Sequence, residues 1–270
     1  TSGGSSGSPV VDIEGRVVAL NAGANSQAAS SFFLPLDRVE VALADIQAGK
    51  PVPRGTLETE FVHKPFAELR RLGLTRETEA RVRAAYPQQT GLLVVEQVIP
   101  ESKAASDLEP GDVLVEVDGK LIAEFVPLAA VLDNSVGKEV TVAVERGGQR
   151  LERRLQGDNL NDITPDEYIE YGDGVFHKLS YQQARPFYRP VSGVYVANPG
   201  YVFGKAAIPR GSIVTGIGGE TLKDLDDLQR VLESLPDDAQ APVRFVTFDE
   251  PQTERQRLVT NDRSWFPAQR

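Results

Sequence analysis

Near the start of the chain, GGSSGSPVV (residues 3 to 11) sets two adjacent serines, Ser5 and Ser6, among small residues. Three uses fit such a run. A Gly/Ser linker would be flexible, but Pro9 and the β-branched pair Val10-Val11 make this a tight turn that feeds a strand. A phosphate cradle needs a lysine and a following helix, and neither is present. A serine nucleophile loop fits in two registers. Gly3-Gly4-Ser5-Ser6-Gly7 matches G-x-S-x-G with Ser5 attacking, an elbow that needs a strand before it and a helix after it. Gly4-Ser5-Ser6-Gly7-Ser8-Pro9 instead makes Ser6 the nucleophile. Its glycines let the N–H groups of Gly4 and Ser6 turn into one hole where an oxyanion would develop.

A serine hydroxyl is a weak nucleophile without an adjacent base. The only histidines are His63 and His177, both far along the chain. Either could serve Ser6 only in an unrelated fold, and each reads more simply as a surface or packing residue.

Composition narrows the classes. The 270 residues are 40% hydrophobic, enough for real cores and about two domains. Lys and Arg number 29 against 39 Asp and Glu, a net charge of -10 that argues against nucleic acid as a partner. The lack of cysteine excludes disulfides, thiolate zinc sites and a cysteine nucleophile. No metal or cofactor is expected. No apolar run has membrane-spanning length, and no signal peptide is visible. The chain starts at Thr1 and has no methionine, so it is expected to be a piece of something longer.

The elements that must position the serines follow at once. SPVVDI, a Glu14-Gly15 turn and RVVALNAG read as a hairpin, and ASSFFLPL as a third strand. Asp37 is expected to N-cap a helix, DRVEVALADIQAG, with Val39, Leu43 and Ile46 on one face and Gly49 as its stop. KPVPRG (50 to 55) is a linker. Beyond it, EPGDVLVEVDGKLIAEFVPLAAVL (109 to 132) answers PRGSIVTGIGGETLKDLDDLQRVL (209 to 232), with Gly111, Gly119, Leu128 and Leu132 matching Gly211, Gly219, Leu228 and Leu232. Each copy reads as short strands around one principal helix, a partly open β-barrel capped by helices. The first copy carries an insert, KPFAELRRLGLTRETEARVRAAYP, in which Gly73 breaks a helix and Thr75 caps another. Its charges read as a solvated face. TPDE (164 to 167) has the form of a capping box, with Pro165 at the first helical position of a connector.

Taken with these elements, TSGGSSGSPVVD, VALNAG, FFLPL, RRLGLT, GDVLVEVDGK and FHKLSYQQAR resemble the HtrA/Deg serine proteases, in particular the long eukaryotic-type branch known from fungal nuclei and plant plastids. Gly4 to Pro9 match the G-x-S-G-x-P pattern of chymotrypsin-like proteases. The resemblance implies a mostly β fold with helices: the C-terminal part of a trypsin-like β-barrel (1–49) followed by two PDZ-like domains (50–157 and 158–270). It places the nucleophile on Ser6, the oxyanion donors on the backbone of Gly4 and Ser6, and the substrate-flanking strand on Asn21, Ala22 and Gly23. The catalytic His and Asp would lie upstream, so this piece alone would not cleave peptides.

The implied function is that of an ATP-independent endopeptidase acting on unfolded or damaged proteins, with PDZ domains that bind peptide C-termini by strand addition beside a nest of N–H groups. In the first copy the nest falls in RGTLETEF, where Glu58 stands at the usual glycine and a carboxylate would be repelled. In the second copy YGDGVF keeps Gly172 and Gly174, which fit either carboxylate capture or a plain turn. A homo-oligomer assembled through upstream protease segments is also allowed. The composition favours a bacterial envelope slightly, with nucleus or plastid as alternatives. The rival reading is a non-catalytic tandem-PDZ adaptor.

Overall fold

The structure is a computed structural model and describes residues 4–25, 30–262 and 265. It divides into two compact units, Thr1–Pro53 and Arg54–Arg270.

In the first unit, β1 (Pro9–Val11), β2 (Val17–Asn25) and β3 (Ser30–Pro35) form an antiparallel sheet in the order β1-β2-β3. The Glu14-Gly15 turn joins β1 to β2, and Asp12 closes it by accepting from the N–H groups of Glu14 and Arg16 at 3.0 and 2.9 Å. Helix α1 (Leu36–Gln47) starts two residues earlier than expected, after Pro35, and no side chain caps it. Asp37 therefore lies in the first turn, where its charge suits the helix dipole rather than capping it. Gly49 ends the helix in the left-handed region, φ 67°. The apolar face of α1 stays uncovered by the described residues: Leu43 is 51% and Ile46 63% exposed.

The second unit opens with β4 (Gly55–Thr56), β5 (Thr59–Pro65), α2 (Phe66–Leu72), α3 (Arg76–Ala85), β6 (Gly91–Val98), β7 (Val113–Val117), β8 (Lys120–Leu121), α4 (Phe125–Asp133), β9 (Glu139–Arg146) and β10 (Gln149–Gln156). It continues through β11 (Asp158–Asn159), β12 (Ile169–Tyr171), β13 (Gly174–Lys178), α5 (Tyr181–Ala184), a 3-10 turn (Arg185–Phe187), β14 (Val194–Asn198), α6 (Gly200–Lys205), β15 (Ile213–Ile217), β16 (Glu220–Thr221), α7 (Leu225–Ser234), β17 (Gln240–Val246) and β18 (Arg255–Thr260). The sequence repeat is a structural one. One sheet runs β10-β9-β7-β6-β5 and the other β18-β17-β15-β14-β13-β12. Gly111 and Gly211 make the same left-handed turn at φ 98° and 85°. Leu128 and Leu132 of α4, and Leu228 and Leu232 of α7, are buried in their respective cores.

The insert departs from a merely wet face. Gly73 ends α2 at φ 104° and Thr75 caps α3 by accepting from the Thr78 N–H. The buried carboxylate of Glu145 then receives the Thr75 N–H at 2.7 Å and the Thr75 and Thr78 hydroxyls. Glu79 is buried as well, with Arg70 on it at 2.6 and 2.7 Å and Arg83 at 2.9 Å. The helix expected at TPDE does not form. The Thr164 hydroxyl donates to the Leu160 carbonyl instead of capping, and the chain runs extended into β12.

Candidate functional site

Ser5, Ser6, Gly7 and Ser8 form one four-residue turn, closed by the Ser8 N–H on the Ser5 carbonyl at 3.1 Å. Gly7 sits at its third position with φ 81°, the conformation a type II turn demands there and a side chain resists. Gly4 is also left-handed, at φ 88°, with open space around it, so conformation rather than room calls for glycine. Gly3, the first residue of the elbow register, lies outside the described residues.

The two serines differ in role. Ser5 is half-buried, and its hydroxyl accepts from Asn21 Nδ2 at 3.0 Å. Its carbonyl takes three donors: the Ser8 N–H, the Ser8 hydroxyl at 2.7 Å and Asn21 Nδ2 at 3.0 Å. Ser6 is exposed at the corner of the turn.

Asn21 is 5% exposed and reaches across from β2. Its backbone carbonyl accepts from the Gly7 N–H at 2.7 Å and its N–H donates to the Ser8 carbonyl at 2.9 Å. Its Oδ1 is buried and has no donor among the described residues, at a cost of about 1–3 kcal/mol for such an orphan. Because both Nδ2 partners can accept, the orientation of the amide follows from the network. Beyond Asn21, β2 kinks at a bulge: Asn21 pairs with Phe33 and Gly23 with Phe32, leaving Ala22 as the extra residue. The side of β2 away from β3 is covered by β1 over Val17 to Leu20 and by the turn at Asn21. Past that point no strand of the described residues pairs with this side of β2. Of the expected substrate-flanking residues, then, Asn21 has its main chain committed to the turn, while Ala22 and Gly23 adjoin it.

In the second unit each repeat has its own corner before the strand that would receive a peptide. Leu57-Glu58-Thr59 precedes β5, with Glu58 left-handed at φ 50°. Its N–H is taken by the Thr56 hydroxyl at 2.9 Å. Burial pushes the Glu58 carboxyl up, and the nearby Asp158 charge adds to this. β5 is an edge strand. At its start Glu60 pairs with Arg185 at 2.6 Å, and the Arg185 carbonyl accepts from Gln97 at 2.9 Å. Thus the 3-10 turn of the second repeat leans on the start of β5.

In the second repeat Gly172 and Asp173, at φ 60° and 61°, form a two-residue hairpin turn with Tyr171 paired to Gly174. A Cβ on Gly172 would come within 2.6 Å of Val202, and one on Gly174 within 2.9 Å of the Asn198 carbonyl, so both glycines have a packing reason. The hairpin lays β12 along β13 from Gly174 to Phe176, opposite β14. Ile169 and Tyr171 are buried in the same core as Leu228, and Tyr171 donates to Asn261 Oδ1 at 2.8 Å.

Neither histidine sits at a catalytic cluster. His63, on β5, faces Gln89 at 3.5 Å, and His177, on β13, has its Nδ1 2.8 Å from the Lys178 carbonyl and its ring against Tyr195. Among the described residues no group of acidic or histidine side chains could hold a metal ion, and no helix is long and apolar enough to cross a membrane. The capping box Ser180-x-x-Gln183, overlooked in the sequence, starts α5.

Comparison with known proteins places these features. Residues 94–146 match the PDZ domain family and residues 162–238 a PDZ-like domain family. The chain is 45% identical over 98% of its length to Protease Do-like 7 of Arabidopsis thaliana, and 43% identical over its full length to pro-apoptotic serine protease nma111 of Neosartorya fischeri. It spans 25% and 26% of those relatives, about a quarter of their length. A solved structure titled HtrA-type protease AlgW with decapeptide is 21% identical, covering 56% of this chain and 44% of its own, at a TM-score of 0.38. With its PDZ-family repeats and its end-to-end identity to these relatives, the chain belongs to the HtrA/Deg family.

Proposed function

We propose that this chain supplies the nucleophile turn and two peptide-binding domains of an ATP-independent serine endopeptidase that degrades unfolded or damaged proteins. Ser6 attacks the scissile carbonyl, the N–H groups of Gly4 and Ser6 receive the oxyanion, and substrate lies along Ala22 and Gly23, where the side of β2 away from β3 has no strand partner among the described residues. The observation that carries this reading is Ser6 itself, an exposed corner of a turn whose other three residues, Ser5, Gly7 and Ser8, are bonded to Asn21. The protease part is assigned to residues 1–49 and the PDZ domains to 50–157 and 158–270. The division between compact units after Pro53 falls inside the 50–55 linker, which supports the first of these boundaries. Peptide capture by Gly172 and Gly174 requires β12 to leave the edge of β13.

A second reading is a non-catalytic tandem-PDZ adaptor, in which the two histidines of the chain, both in the second unit, serve only local contacts, His63 with Gln89 and His177 with the Lys178 carbonyl. One experiment separates the two. The 270-residue chain alone should take up no fluorophosphonate, whereas the protein extended upstream should be labelled and should cleave an unfolded substrate. In that extended protein Ser6→Ala should lower turnover by about 10^6, the scale of removing a triad serine, and Ser5→Ala by far less. An extended protein with no labelling and no cleavage leaves the adaptor.

A further inference from the structure

We infer that Asn21 is a positioning residue for the nucleophile rather than a substrate contact, an assignment that rests on Ser6 being that nucleophile. Asn21 bonds every residue of the turn except Ser6: Ser5 through Nδ2 to its carbonyl and hydroxyl, Gly7 through the backbone carbonyl, and Ser8 through the backbone N–H. Such a clasp fixes three corners and leaves the fourth side chain exposed. With its own N–H and carbonyl spent on the turn, Asn21 has no main-chain group left to pair with a substrate strand. Its buried Oδ1, without a donor among the described residues, is a second sign that an amide is kept here for more than packing, since a leucine would bury at no polar cost. Loss of the Nδ2 donors frees the Ser5 carbonyl and lets the Ser6 hydroxyl wander, and displacement by about 1 Å is enough to cost roughly 100-fold in rate.

The test uses the full-length protein. Asn21→Asp keeps the size of the side chain and removes the donor, and Asn21→Ala removes both. For each, the rate constant and the end point of fluorophosphonate labelling are measured separately, with kcat and KM on an internally quenched peptide. A residue that only holds the fold together lowers the end point, the share of competent molecules, and spares the rate constant of those that remain. Positioning predicts a labelling rate constant and an active-site-normalised kcat lower by about 10- to 100-fold in both variants, with KM within about twofold of the parent. A parental labelling rate constant in Asn21→Asp, or a change confined to KM, overturns the inference while Ser6→Ala remains unlabelled. Labelling that survives in Ser6→Ala overturns instead the reading on which it rests.

Discussion

Glu58 and Gly172 hold the same left-handed corner in the two repeats, at φ 50° and 60°, each five residues before the histidine of the strand that follows. A left-handed corner is nearly free for glycine and costs a side-chain-bearing residue roughly 1 kcal/mol. Glu58 also has its carboxyl pushed above the ordinary range, first by burial and then by Asp158.

Two substitutions read these effects apart. Glu58→Gly should stabilise the protein by about 1 kcal/mol, seen as a higher urea midpoint with an unchanged slope. Glu58→Gln leaves the corner strained and removes only the charge. Because the folded carboxyl holds its proton more tightly than the unfolded one, its ionisation weighs against the fold as pH rises through and above the carboxylate range. The advantage of Glu58→Gln should therefore grow between about pH 4 and pH 7; an advantage that shrinks over that window would show that the burial of Glu58 has been misjudged.

The hairpin of β12 and β13 gives a prediction about peptides. A peptide that adds antiparallel to β13 with its terminus at Gly172 would take the line that β12 already occupies. Glu170 and Val175 are directly opposed, next to the pair that closes the two-residue turn, a spacing suited to a cross-strand disulfide. In a Glu170→Cys, Val175→Cys variant, oxidation should abolish any binding of a peptide with a free apolar C-terminus to the second repeat, and reduction should restore it. Binding that survives oxidation would place the peptide elsewhere in the domain.

Much of this was legible in the sequence. The repeat showed because its glycines and leucines serve backbone turns and helix faces, which local spacing reports directly. The α3 cap at Thr75 and the stop at Gly73 were equally local. What escaped was decided by distant partners. TPDE has the residues of a helix start, yet Thr164 is drawn to Leu160 and the chain continues as β12, whose buried Ile169 and Tyr171 gain more from the second core. Glu79 and Glu145 look like members of a charged face until the arginines and threonines folded against them are known. At the candidate site the glycines on either side of Ser6 announced a turn, and the resemblance placed Asn21 on the substrate-flanking strand. That the asparagine clasps the turn depends on a strand fifteen residues later crossing behind it.

The equivalence of the two cores can be measured. Leu132 and Leu232 lie at matching helix positions, 7% and 3% exposed, each in the main cluster of its repeat. Replacing either by alanine removes buried methyl groups and leaves a cavity, so each variant should lose roughly 2–5 kcal/mol in chemical denaturation. A loss below about 1 kcal/mol at either site would mean that its helix is not docked on that core.

Acid stability tests the insert. Glu79 joins α2 to α3 by accepting two bonds from Arg70 and one from Arg83, and the Arg70 guanidinium foremost holds its carboxyl down at about 2. A carboxylate depressed in the folded state adds stability that is fully present above its unfolded value, near 4.5, and is lost as pH falls through the folded one. Both arginines are half exposed, so solvent screens the pair and the gain at neutral pH is about 1–2 kcal/mol rather than the full value of the shift. Glu79→Gln should therefore be less stable than the parent by that amount at pH 7, and the two should converge as pH falls from about 4.5 toward 2, followed by urea unfolding at each pH. Curves that stay parallel down to pH 2 would show that the carboxylate charge is not what holds α2 to α3.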